Sequence, residues 1–152
     1  MNLFYSQSDI KFDKYPAKVE KVNKAKLVLS SSSLGKTYKT QISNQYKTNK
    51  VDFGGHYVTT YWGAGMGLTM GAMVDIKTGK IYELPMNEEN SLNDCFHNDE
   101  IETNKVNSNL FITYATKMTD DESKCKREIY YYLWNGKSFK LLKKTEKTIS
   151  KD

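Results

Sequence analysis

The sequence predicts an α+β fold: mainly antiparallel β-sheet, about seven strands in a curved sheet or small sandwich, with one helix near residues 33–47. Three observations carry the prediction. Short β-branched and aromatic runs recur along the chain, bounded by Gly, Pro, Asn and Ser. Two hairpin signals, Lys77-Thr-Gly-Lys80 and Asn135-Gly136, join such runs. One stretch alone shows a helical period, with Leu34, Tyr38, Ile42 and Tyr46 recurring every fourth residue.

Each element follows from local chemistry. Residues 1–24 place scattered aromatics among lysines, with Pro16 as a breaker, and read as an extended arm laid on the domain. Ala25–Ser30 is a short strand candidate, and the serines after it are cap and loop chemistry for the helix. His56–Trp62 is a strand with both faces covered. Gly63, Gly65, Gly67 and Gly71 then interrupt the pattern, where the backbone turns tightly or is closely approached. Ala72–Ile76 and Ile81–Leu84 are strands joined by the turn that holds Gly79, and Pro85 stops the second. Leu110–Tyr114 is a strand, Met118–Lys126 a charged turn, and Arg127–Trp134 a long aromatic strand. Asn135-Gly136 predicts a type I′ turn, with Gly136 at positive φ, into a last strand over Ser138–Lys143. From Lys144 the chain is expected to fray. No linker divides residues 1–152, so we expect a single domain.

Composition narrows the function classes. Eleven tyrosines, six phenylalanines and two tryptophans among 152 residues predict an aromatic core. No run reaches the ~18 apolar residues of a membrane span. Met1-Asn-Leu-Phe-Tyr-Ser lacks the basic and apolar regions of a signal peptide, which fits either an exported protein in mature form or a cytoplasmic one. The net charge of +5 divides into a lysine-rich first third and an acidic stretch after Pro85. Cys95 and Cys125 are an even pair; a bridge between two loops and two free thiols both remain open, with the bridge preferred.

Three elements of the sequence also look familiar: Phe53-Gly-Gly-His-Tyr57, Trp62-Gly-Ala-Gly-Met-Gly67 and Asp75-x-x-Thr-Gly-Lys-x-Tyr82, followed by Tyr131-Tyr132-Leu133-Trp134. Across residues 50 to 142 the chain resembles a group of small bacterial proteins, many with export signals, that carry Phe-Ala-Gly-His-Tyr and Trp-Gly-Cys-Gly-x-Gly-Cys elements. Ala64 and Leu68 stand where those cysteines would be, so no bridge or metal attached to them carries over. What the resemblance implies is an exported protein, with immunity proteins or inhibitors of toxins among those of similar size.

No catalytic constellation emerges. The glycine loop matches neither G-x-G-x-x-G nor a P-loop, so it reads as structural rather than phosphate-binding. Cys95-Phe-His97 does not set a base against a thiol. Cys95, His97, Cys125 and His56 lack paired zinc spacing, and the acids lack the spacing of a calcium loop. We therefore expect no metal and no cofactor. His56 reads as a half-buried strand histidine that donates to the glycine-loop backbone. The lysines of the first third, with a single arginine in the chain, read as solvated rather than as a nucleic-acid surface.

These features lead us to expect a non-enzymatic protein that binds a protein partner, a toxin or hydrolase effector, and acts as an immunity protein or inhibitor. The expected contacts are Trp62, Gly63, Gly65, Met66 and Gly67 on the glycine loop, and Glu88, Glu89, Asp94, Asp99 and Glu100 on the acidic loop. His56, Cys95, Cys125, Gly79 and Gly136 are expected to be structural. The alternative is a nucleic-acid-binding domain using the lysine-rich third, and last a hydrolase with an unrecognised site.

Overall fold

The computed structural model describes residues 10–95 and 101–151. The fold is α+β, with two three-stranded antiparallel sheets. The chain forms α1 (Ser33–Thr37), α2 (Lys39–Thr48), β1 (Tyr57–Gly63), β2 (Thr69–Asp75), β3 (Ile81–Glu83), α3 (Glu88–Ser91), β4 (Leu110–Met118), β5 (Lys124–Trp134) and β6 (Phe139–Ser150). The first sheet has the order β1-β2-β3 and the second β4-β5-β6.

The alternation of side chains along β1 explains how the layers stack. Val58 and Trp62 point to one face, where they pack with Ile42 and Tyr46 of α2 and with Ala72, Val74 and Ile81. Tyr57 points to the opposite face and joins Phe53, Met73, Leu84, Phe111 and Trp134, which close the space between the sheets. The first sheet is thus buried on both sides, which is why His56–Trp62 carries no polar alternation. Edge-to-face contacts of Tyr57 and Tyr82 with Trp134, at 5.6 and 5.2 Å, tie the two sheets together.

The outer edge of β1 is closed by side chains. Asp52 accepts the backbone N–H of Thr59 at 2.8 Å, and Gln45 bonds Tyr61 twice, accepting its N–H at 2.8 Å and donating to its carbonyl at 2.6 Å. The arm, continued to Val28, also lies on this sheet, with Glu20, Ala25 and Val28 donating their N–H groups to Gly55, Ile76 and Gly79.

Several expectations are corrected. Ala25–Ser30 is not a seventh strand: Val28 makes one isolated parallel bridge to Lys80, and a 3-10 turn at Leu29–Ser31 ends the stretch. The helix is two helices, broken at Tyr38 (φ −118°, ψ 36°), whose ring stacks on Trp62 at 4.3 Å. Packing of that aromatic ring overrides helical continuity, while the four-residue period still marks the buried face. The turn at Asn135-Gly136 is not type I′. Gly136 has φ +93°, but Met66 is the one non-glycine with positive φ among the described residues, so Asn135 lies outside that region. Instead the Asn135 side chain accepts the N–H groups of Lys137 and Ser138 at 2.8 and 2.9 Å, and pairing begins at Phe139. Where fraying was expected from Lys144, β6 runs to Ser150, opposite Lys124.

Cys95 and Cys125 are bridged, with Cα atoms 5.9 Å apart. The bridge pins the acidic segment to the start of β5. Closing a loop of 30 residues, it contributes about 3 kcal/mol on the chain-entropy model. Reduction is expected to lower the melting temperature accordingly. Thiol titration of the unreduced, denatured protein should find none; two titratable thiols would contradict the bridge.

Candidate functional site

The glycine loop is the tip of the β1–β2 hairpin. Gly63 pairs with Thr69, and the tip is closed by Ala64 N–H to Leu68 O (2.8 Å) and Leu68 N–H to Gly65 O (3.0 Å). Gly65, Met66 and Gly67 all lie at positive φ, at +90°, +52° and +84°. Holding Met66 there costs roughly 1–2 kcal/mol, and it presents the side chain outward at 95% exposure. Trp62, expected in this contact set, is instead core, 6% exposed.

The acidic segment is fixed against this tip. Asn87 caps α3, accepting the N–H groups of Glu89 and Asn90, while Asn90 returns a bond to the Asn87 backbone. Asn90, 1% exposed, also donates to Pro85 O and to the Tyr132 hydroxyl, at 2.7 and 2.8 Å, and so anchors the segment on β5. Asn93 N–H donates to Gly67 O at 3.0 Å, and Leu92 bridges Leu68. A Cβ on Gly67 would lie 2.5 Å from Asn93 O, so only glycine admits this approach. Asp94 donates its N–H to Thr116 O and accepts Met118 N–H at 3.2 Å.

The two loops singled out from sequence therefore meet. Between them lies an open depression of about 510 Å³, with Leu68, Leu92 and Met118 as apolar lining and Glu88 and Asp94 as acids. Gly65 and Met66 contribute from the hairpin tip. Gly63 and Glu89 are exposed but do not line it, and Asp99 and Glu100 lie outside the described residues, as does His97. Sequence reasoning missed Met118, 65% exposed, and Leu68 and Leu92. An isolated methionine at a strand end beside a charged turn was the available signal.

A second cluster gathers two of the familiar sequence elements, Phe53–Tyr57 and Asp75–Tyr82, at the far end of the hairpin. The register of β1 and β2 places Asp75 opposite Tyr57. His56 Nδ1 lies 2.7 Å from Asp75 Oδ1, and its Nε2 lies 3.8 Å from Glu20 Oε2, which also pairs with Lys77 at 3.0 Å. The expectation that His56 serves the glycine loop is thus corrected: its partner is a carboxylate in the turn that holds Gly79. Asp75 Oδ1 also accepts Lys77 N–H at 2.9 Å. Burial pushes the neighbouring Tyr57 hydroxyl up to about 12. The cleft beside His56 is lined by Lys18, Glu20, Tyr57, Asn109 and Trp134 among others, and among the described residues no serine, threonine or cysteine lines it.

Fold and surface together define a small α+β protein with helices packed on one face of a first sheet, a second sheet on the other face, and one loop-built depression of mixed apolar and acidic character. No family model, curated protein or solved structure matches the chain. Among the described residues no group of His, Cys, Asp and Glu is placed to hold a metal ion, and no helix is long and apolar enough to cross a membrane.

Proposed function

We propose that the chain is a non-enzymatic binding protein, exported in its natural setting, whose hairpin tip and acidic segment grip a protein partner. An immunity protein or inhibitor directed at a toxin or hydrolase is its most concrete form. One observation carries this reading: Met66 is held at positive φ, almost fully exposed, beside a depression with apolar lining and acids at Glu88 and Asp94. Backbone strain that displays an apolar side chain to solvent does nothing for the core, and it suits an anchor for another surface. The carboxylates favour a partner that offers a lysine or arginine next to an apolar group. At the other cleft, His56 and Asp75 form a base-like pair, and among the described residues no serine, threonine or cysteine lies beside them to be activated.

The lysine-rich arm is the alternative surface. Lys24 is drawn from it, since its ammonium bonds the carbonyls of Tyr46 and Asn49 at the end of α2. Glu20 of the arm pairs with Lys77 of the β2–β3 turn and sets a carboxylate among the arm's lysines.

The test is co-purification from the producing organism with identification of the partner, then titration of that partner against wild type and Met66→Asp. Asp tolerates left-handed φ, and the position is open, so the fold is expected to survive. Affinity should fall ten-fold or more, about 1.4 kcal/mol. Gly65→Asp is a poorer probe, because φ +90° adds strain to any loss of contact. Equal affinity would remove the depression from the interface. Recovery of nucleic acid alone, with steep salt dependence, would favour the arm.

A further inference from the structure

We propose that the cavity between the two sheets is a binding site for a small, flat, mostly apolar molecule with a single hydrogen-bonding group, of the class of monocyclic aromatic alcohols and amines. The cavity has a volume of about 170 Å³ and lies between Tyr61 of β1, Met86, and Phe111 to Thr113 of β4. An apolar cavity of about 150 Å³ suffices for benzene. Phe111 and Met86 supply the apolar wall such a ring would meet.

The polar group of the ligand is specified by one side chain. Thr113, 3% exposed, lines the cavity, and its hydroxyl has no hydrogen-bond partner among the described residues. Buried hydroxyls are seldom left so, because the desolvation goes uncompensated. The neighbouring hydroxyls are already engaged: Ser91 donates to Asn90 Oδ1 at 2.9 Å, and Thr103 and Tyr61 both donate to Asn104 Oδ1, at 2.6 and 3.4 Å. Burial pushes the Tyr61 hydroxyl up to about 12, so it stays a donor at neutral pH and keeps that bond. Thr69 and Tyr114 also line the cavity but are partly exposed, so Thr113 carries the one fully buried orphan hydroxyl among the described lining residues, and it calls for one polar atom. Asn93, exposed on the lining, marks the side open to solvent. The site is distinct from the depression at Met66, and the inference does not rest on the protein-binding reading.

Phenol and benzene titrated into the full chain, followed by calorimetry and by the Met86 methyl resonance, test this. Phenol is expected to bind saturably, to shift that resonance, and to bind about five-fold more tightly than benzene, the gain of one neutral hydrogen bond. Thr113→Val removes the hydroxyl at nearly constant shape. It should leave the melting temperature equal or higher and abolish the preference for phenol while benzene still binds. Absence of saturable binding by both probes would overturn the proposal and leave the cavity to water. Retention of the phenol preference in Thr113→Val would overturn the role of the hydroxyl.

Discussion

Gly79→Ala is expected to lower stability by about 4 kcal/mol, a fall in melting temperature of roughly 10 °C for a chain of this length. Gly79 closes the β2–β3 turn at φ +77°, donating its N–H to Asp75 O at 2.7 Å. A Cβ there would sit 1.9 Å from Lys26 O, a distance at which the two backbones cannot coexist. The positive φ alone costs roughly 1–2 kcal/mol. The remainder comes from the arm, which must lift, giving up the bond from Val28 N–H to Gly79 O and the packing of Leu27 and Leu29 on the core. Gly136→Ala separates the two costs, since Gly136 has φ +93° with nothing within 4 Å of its Cβ position. It should cost only the first part. Limited trypsin digestion should then cut at Lys24 and Lys26 in Gly79→Ala and not in Gly136→Ala. Equal melting temperatures for the two variants would refute the arm's contribution.

Glu128→Gln is expected to cost about 3 kcal/mol at neutral pH. Glu128 lies on β5 with its side chain 4% exposed, facing Lys117, Lys126 and Lys144 at 2.7, 3.3 and 3.5 Å. Burial by itself would raise its pKa, but the bonds to Lys117 and Lys126 outweigh burial and hold the carboxyl at about 2, below its ordinary 4.5. A carboxylate depressed by folding adds stability in full above its unfolded pKa and loses it as pH falls through the folded one. The window is therefore pH 4.5 down to about 2, and the shift corresponds to about 3 kcal/mol. Denaturation followed along pH should show wild type converging on Glu128→Gln across that window. Curves that are already coincident at pH 7 would show the network to be neutral.

Local signals made much of the fold legible. The β-branched run at His56–Trp62 and the pair of hairpins were read from period and turn chemistry, which act over a few residues. The lengths of β5 and β6 were not, because Lys124–Lys126 and Lys144–Ser150 are polar. Their strand state comes from cross-strand pairs such as Lys126 with Glu146, at 3.4 Å, not from their own propensity. The seventh strand failed for the converse reason: Ala25–Ser30 has strand composition but is offered no ladder beyond one bridge. For the candidate site, the glycine and acidic loops were both singled out, yet nothing in their spacing shows that Asn93 touches Gly67 or that Met118 joins them. His56 found Asp75 instead of the glycine loop because the β1–β2 register sends the hairpin tip to the opposite end of the sheet.

The Asp52 and Gln45 clamps on β1 also decide how molecules of this protein meet at high concentration. With the N–H groups of Thr59 and Tyr61 and the carbonyl of Tyr61 taken up by side chains, β1 is a poor template for strand addition. At β6, an outer strand of the second sheet, Lys140, Lys143 and Lys147 keep copies apart by charge instead. Protection of that kind is conditional. Polyanions or high salt screen it while the clamps on β1 hold, so β6 should self-associate before β1 does.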